Sequence, residues 1–188
     1  MDLGMTANKD LIGNLIIYIA DKCKPLYHTK LLKILYFIDE VAVQEKGSPI
    51  TWLEYSVWGK GPVSKEIYFS KVDNCNPFDS YFTISKKNNN AYQIIPKQVF
   101  DKSEFSKKDI EIIDHVIDLY GKKTSDELIE LTHAKGSLWS NIVETKNIKF
   151  SKENTTSVYS INFADLIKDD TMKSLSYFIA REDLACKV

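Results

Sequence analysis

The chain has 188 residues and a formal net charge of −1, and a single arginine, Arg181, stands among its 25 Lys and Arg residues. That length suffices to bury a core without disulfide or metal staples. The even charge balance excludes a broad electrostatic pull on nucleic acid, and the shortage of arginine removes the bidentate grip on guanine and phosphate, so nucleic acid is not an expected partner of this chain alone.

Cys23, Cys75 and Cys186 are odd in number and contain no C-x-x-C pair, which suits reduced thiols and implies neither a metal site nor a cofactor. The apolar segment Leu11 to Ala20 is too short to span a bilayer, contains Asn14 and follows Asp2 and Asp10 instead of a basic stretch. No membrane partner is expected, and the location expected is cytoplasmic.

In chain order, the spacing of Leu11, Ile12, Leu15, Ile16 and Ile19 predicts an amphipathic helix from about Ala7 to Asp21. Pro25 closes the link to a second helix, Lys30 to Lys46, with Thr29 as its expected N-cap. Leu31, Leu32, Ile34, Leu35, Ile38, Val41 and Ala42 cover more than one face of that helix, the pattern of an element contacted from several sides, so it belongs at the centre. Gly47, Ser48 and Pro49 stop it. Thr51, Trp52, Tyr55, Val57 and Trp58 favour a strand, and Gly59-Lys60-Gly61-Pro62 turns the chain, with Pro62 expected in the first turn of another helix that points Val63, Ile67 and Tyr68 inward.

A loop from Asp73 to Asp79 leads to Tyr81 to Ile84 and Ala91 to Ile95, which flank a polar Lys86 to Asn90 tip as a hairpin. With Thr51 to Val57 these predict a three-stranded sheet. Ser106 and Asp109 read as a capping box ahead of Ile110, Ile113, Val116, Ile117 and Tyr120, with Gly121 as the stop. Thr124 caps the next helix, whose Leu128, Ile129 and Leu131 face inward. Ser137 to Val143 gives a short helix and Thr145 to Thr156 a polar loop. Val158, Tyr159 and Ile161 read as a last strand, and Asp170 or Thr171 caps a final helix expected to bury Leu175, Phe178, Ile179 and Leu184. The fold class read from this pattern is α+β and mainly α-helical, with a central buried helix and a small antiparallel sheet in one domain over 1–188.

Candidates for chemistry are few: His28, His115 and His133, with Asp39, Glu40 and Glu54 near the central helix. None forms a nucleophile or metal motif, so no catalytic residue is expected. His133, beside Thr132 and just before a helix break, best fits a structural polar cluster, ahead of a binding role or a general base. Gly59-Lys60-Gly61-Pro62 has some features of an anion site at a helix start, although a tight turn explains its glycines without a ligand. Aromatic residues reach 12% and include ten tyrosines, a supply that suits protein contacts wherever some stay exposed.

Three segments together resemble a known family. Lys30-Leu31-Leu32-Lys33-Ile34-Leu35-Tyr36-Phe37 is similar to its K-L-x-K-L-L-Y-F opening, Trp58-Gly59-Lys60-Gly61-Pro62-Val63 to its W-x-x-G-P-V turn, and Leu131-Thr132-His133 with Gly136, Ser137 and Trp139 to its L-T-H-x-x-G-S-x-W segment. The family is that of the Panacea antitoxins, the SocA-like, phage-associated group. The resemblance covers about Thr6 to Val143, and leaves 144–188 as a variable extension. It implies a bacterial α+β domain without an active site that neutralises a cognate toxin by direct contact in a toxin-antitoxin system. Lys30, Leu31, Leu35, Tyr36, Gly61, Pro62, Thr132, His133, Gly136 and Trp139 then stand at motif positions of structural character. Trp58, Lys60, Tyr81 and Tyr92 are the residues expected to meet the toxin. The competing readings are a protease adaptor or transcriptional regulator and, further off, a small enzyme using His133. The chain has no appended helix-turn-helix, which argues against the regulator.

Overall fold

The computed structural model describes residues 8–72, 76–87 and 90–186. Ala7, at the expected start of the first helix, Asp73, Asn74 and Cys75 of the expected loop, and Asn88 and Asn89 at the hairpin tip lie outside the described residues.

The first helix, α1 (Lys9–Lys22), starts at Asn8, whose side chain accepts from the N–H groups of Asp10 and Leu11, supplying a partner that the helix itself cannot. It buries Ile12, Leu15, Ile16 and Ile19 completely. The second, α2 (His28–Lys46), buries twelve of its 19 residues and touches α3 (Lys65–Phe69), α4 (Lys107–Tyr120), α5 (Ser125–Thr132) and α7 (Thr171–Ala185). It is the central helix that its all-round apolar pattern predicts. Gly47 ends it at φ +81. Leu35 has no exposed surface, so Leu35→Ala is expected to cost roughly 2 to 5 kcal/mol through lost transfer energy and a residual cavity, read as a drop in the urea midpoint.

Thr29 is not the N-cap. The helix begins one residue before it, after an extended Tyr27, because Leu26 and Tyr27 run alongside the second hairpin: the Ile94 N–H donates to the Leu26 carbonyl at 2.9 Å. His28 then turns inward, its Nε2 2.9 Å from the Ile67 carbonyl.

The expected three-stranded sheet is replaced by two separate antiparallel pairs. β1 (Ser56–Trp58) pairs with β2 (Gly61–Val63), and β3 (Phe82–Lys86) with β4 (Tyr92–Pro96). Pro62 therefore sits in a strand opposite Val57, and the following helix, α3, starts only at Lys65. Pro62 has no N–H to give a ladder. Its neighbour Val57 donates instead across the other edge of β1, to the Tyr159 carbonyl at 2.8 Å, while the Ile161 N–H returns to Tyr55 O at 2.7 Å. The stretch around Val158 to Ile161 thus seals β1, with a bridge from Ser56 to Ser160, without forming a continuous strand.

The expected capping box of Ser106 with Asp109 is present before α4, and Thr124, expected as a cap, forms a second box with Glu127 before α5. Ser137 caps α6 (Leu138–Thr145) and Asp170 caps α7. The burial expected for α7 is reversed: Tyr177 is its buried residue, packed on Trp52 at 5.3 Å. Met172, Leu175, Phe178 and Ile179 are 73, 53, 55 and 52% exposed. Helical spacing places these four on one side, and that side faces away from the core.

Candidate functional site

The three motif segments converge on one junction. Lys33, from the second turn of α2, is 1% exposed, and its Nζ donates to the Pro62 carbonyl at 2.7 Å. Gly61, at φ +88, backs onto the same ammonium and onto Thr132 at the end of α5: a Cβ there would come within 2.4 Å of Thr132 Oγ1 and 3.0 Å of Lys33 Nζ. Thr132 Oγ1 donates to Ile129 O at 2.7 Å, and the Thr132 carbonyl accepts from Ser137 Oγ at the head of α6. From α6, Trp139 Nε1 donates to Trp58 O at 2.8 Å, while the His133 ring stacks on Trp139 with centroids 3.8 Å apart.

The other motif positions hold the scaffold around this junction. Lys30 Nζ donates to the Gly121 carbonyl at 2.6 Å, tying α2 to the end of α4. Leu31 and Leu35 are fully buried, and Tyr36 donates to Glu40 while its ring meets Tyr55 edge-on. Gly136 takes φ +85 with open space around it, so its glycine answers a backbone need alone.

Burial lowers His133 below the ordinary histidine range, and the Lys33 charge adds to that. Its Nε2 is buried without a hydrogen-bond partner, and the one hydroxyl beside it in sequence, Thr132, is committed to Ile129. A nucleophile-base pair needs the two groups within hydrogen-bond reach, and no such bond to His133 exists among the described residues. His115 is exposed on α4. Burial pulls His28 down to about 4, so its ring is neutral near pH 7 and serves the Ile67 carbonyl. No group of three His, Cys, Asp or Glu side chains suited to a metal ion occurs among the described residues, and no helix among them is long and apolar enough to cross a membrane.

Of the four residues expected to meet a partner, three lie together. Trp58 and Lys60 face a half-open groove of about 360 Å³ between the start of α2, β1–β2 and α3. Tyr92 borders an adjoining hollow that shares His28, Thr29 and Lys71 with it. Tyr81 is elsewhere: its ring covers Gly13 of α1, and its hydroxyl donates to Asp10, a bond that with burial and the Asp10 charge pushes it up to about 12.

Sequence reasoning missed Lys33 and Asp39 as buried groups. Asp39 is fully buried and accepts from the Ile50 and Thr51 N–H groups, the Thr51 hydroxyl and the Tyr55 hydroxyl. Burial pushes it up to about 6 against those bonds. The available signal was positional, since a helix apolar on every face leaves no solvent side for either residue.

Lys33 is pulled down to about 7 by burial, from 10.5 for an exposed lysine. Between those values the folded state holds fewer protons than the unfolded one, so this group makes stability rise with pH, and below pH 7 the dependence vanishes. Measured against Lys33→Met, wild type is expected to gain on the order of 2 kcal/mol between pH 7 and 9, followed by urea unfolding of both proteins across that range.

The fold and junction define a helical α+β scaffold whose motif residues are spent on packing and on buried hydrogen bonds. Residues 31–140, more than half of the chain, match the family described as antitoxin SocA-like, Panacea domain. The chain belongs to this family. No curated protein and no solved structure matches it.

Proposed function

We propose that this protein is an antitoxin that neutralises a cognate toxin by forming a stoichiometric complex with it, without catalysis. Membership of the SocA-like Panacea family carries the reading. The commitment of Thr132 and the stacking of His133 on Trp139 support a binding role over an enzymatic one.

The toxin-contacting surface we favour is the exposed side of α7. Met172, Leu175, Phe178 and Ile179 form an apolar stripe outside the residues that match the family. Exposed apolar patches of this kind on soluble chains serve as interaction sites, and their energy concentrates in a few anchors. The groove face with Trp58, Lys60 and Tyr92 is the second surface.

Co-expression with the toxin-like product of the neighbouring reading frame tests the proposal. Wild type is expected to restore growth, and His133→Ala to do so equally at matched soluble levels. The pair Leu175→Asp and Phe178→Asp is expected to abolish rescue with its melting temperature within a few degrees of wild type, since both side chains are exposed. Lost rescue in Lys60→Ala with Tyr92→Ala, and not in the α7 variant, would move the contact to the groove. Failure of the wild type to rescue would overturn the antitoxin reading.

A further inference from the structure

The outer edge of β1 is covered by a stretch of the tail that fits it poorly. Around the bridge from Ser56 to Ser160, the Ile161 N–H donates to Tyr55 O at 2.7 Å and the Val57 N–H to Tyr159 O at 2.8 Å, so the cover runs antiparallel to β1. A regular antiparallel neighbour returns the Tyr159 N–H to Val57 O, because hydrogen-bonded pairs exchange both bonds. Here the Tyr159 N–H turns back to Ser157 Oγ at 3.2 Å, and the Ser157 hydroxyl stands in for it on Val57 O at 2.6 Å. One step further, regular register offers the Ser157 carbonyl to the Gly59 N–H, which instead reaches Thr155 O at 2.8 Å.

Packing holds this strap at its two ends. Phe150 stacks on Trp139 with ring centroids 5.9 Å apart and lies against Gly59, and beyond the strap Phe163 is buried. Between these anchors every residue of 151–160 is exposed except the half-buried Ser157. Lifting the strap therefore breaks a few hydrogen bonds and uncovers no buried apolar side chain of its own, and such segments open at the low end of a protein's stability range. The strand beneath is firmly held: Val57 is fully buried, Trp58 O accepts from Trp139 Nε1, and β2 pairs along the inner edge. With the strap lifted, Tyr55 O, the Val57 N–H and carbonyl and the Gly59 N–H form a template for an added strand.

We propose that β1 is a strand-accepting edge, covered by the strap in the free protein and taken over by an extended segment of the toxin in the complex. An incoming strand in regular antiparallel register makes the Val57 and Gly59 bonds directly. That is its gain over the strap, whose own advantage is its tether. Ile161 and Phe163, at the end of the strap, line one hollow with Tyr177 and Arg181 of α7, which places the edge beside the helix favoured for toxin contact. The toxin as strand donor rests on the antitoxin reading, whereas the opening of the strap does not.

The test locks the strap with Ser56→Cys and Ser160→Cys, in a Cys75→Ser and Cys186→Ser background. The two serines face each other between the flanking bonds, a pair whose Cα separation of about 4.5 Å a disulfide can bridge. Without toxin, amide exchange of Val57 and Gly59 in the reduced protein is expected to run about a hundredfold or more faster than that of Leu35, and oxidation should slow it about tenfold or more. Ser157→Ala, which removes the stand-in hydroxyl without a new cross-link, should speed it. Exchange as slow as that of Leu35 in all these proteins would overturn the opening. With the toxin-like product of the neighbouring reading frame, oxidation is expected to weaken binding about tenfold or more, with recovery on reduction. In the complex of the wild type the amides of 158–160 should lose protection while those of Val57 and Gly59 gain it. Equal toxin binding by the oxidised and reduced proteins would overturn strand exchange and leave the antitoxin reading standing, whereas a wild type that binds no toxin would overturn both.

Discussion

Asp39→Ala is expected to lower the urea midpoint of unfolding steeply. The carboxylate is fully buried and receives the Ile50 N–H at 2.9 Å, the Thr51 N–H at 2.8 Å, the Tyr55 hydroxyl at 3.0 Å and the Thr51 hydroxyl. Removing it strands those donors in a dry site, and each unsatisfied group costs about 1 to 3 kcal/mol. Relaxation lowers the sum, yet a loss of roughly 4 kcal/mol or more is a large fraction of the roughly 5 to 15 kcal/mol by which a folded domain is stable. Asp39→Asn retains one acceptor for the two backbone donors and is expected to fall between. Urea unfolding at pH 7 of all three proteins measures the order, and an Asp39→Ala midpoint near that of wild type would show that the bonds are dispensable.

The second large effect is expected at the junction of the motifs. Gly61→Ala meets two costs at once: a φ of +88, and a methyl 2.4 Å from Thr132 Oγ1 and 3.0 Å from Lys33 Nζ. Thr132 is held by its bond to Ile129 and Lys33 by its bond to Pro62, so neither can retreat without breaking a buried contact. Gly136→Ala is the control, because φ there is +85 and nothing lies within 4 Å of the added methyl. Left-handed strain alone costs about 1 to 2 kcal/mol, so Gly136→Ala should lose that much and Gly61→Ala at least about 3 kcal/mol. Equal losses would mean that the close approach of the three segments contributes nothing beyond backbone conformation.

Much of this fold is legible locally. The capping boxes of Ser106 with Asp109 and of Thr124 with Glu127 fix two helix starts through contacts three residues apart, and the β3–β4 hairpin follows from alternating residues around a polar tip. The errors fall where a distant segment decides. Gly59-Lys60-Gly61-Pro62 reads equally well as a turn into a helix, and it becomes a hairpin because the far edge of β1 is sealed by the tail, through Val57 to Tyr159. Thr29 loses its capping role to a start fixed by pairing of Leu26 with Ile94.

The apolar spacing in α7 correctly marks an amphipathic helix. It does not say that the partner of the apolar side belongs to the same chain, and Leu175, Phe178 and Ile179 are exposed. The candidate site was legible in part. Trp58, Lys60 and Tyr92 share one face and Tyr81 leaves it for Asp10, whereas the burial of Lys33 against Pro62 exists only once α2 and the β1–β2 hairpin are brought together.

The proposed antitoxin role is stoichiometric occupation of a toxin partner. Titrating a fixed amount of purified toxin with this protein and recording residual toxin activity tests that most directly. Stoichiometric binding predicts a linear fall that ends in a sharp break at a fixed ratio, independent of incubation time, with both chains recovered intact in one complex. Inactivation that proceeds to completion with far less than one antitoxin per toxin, and deepens with time, would contradict it and return catalysis to consideration.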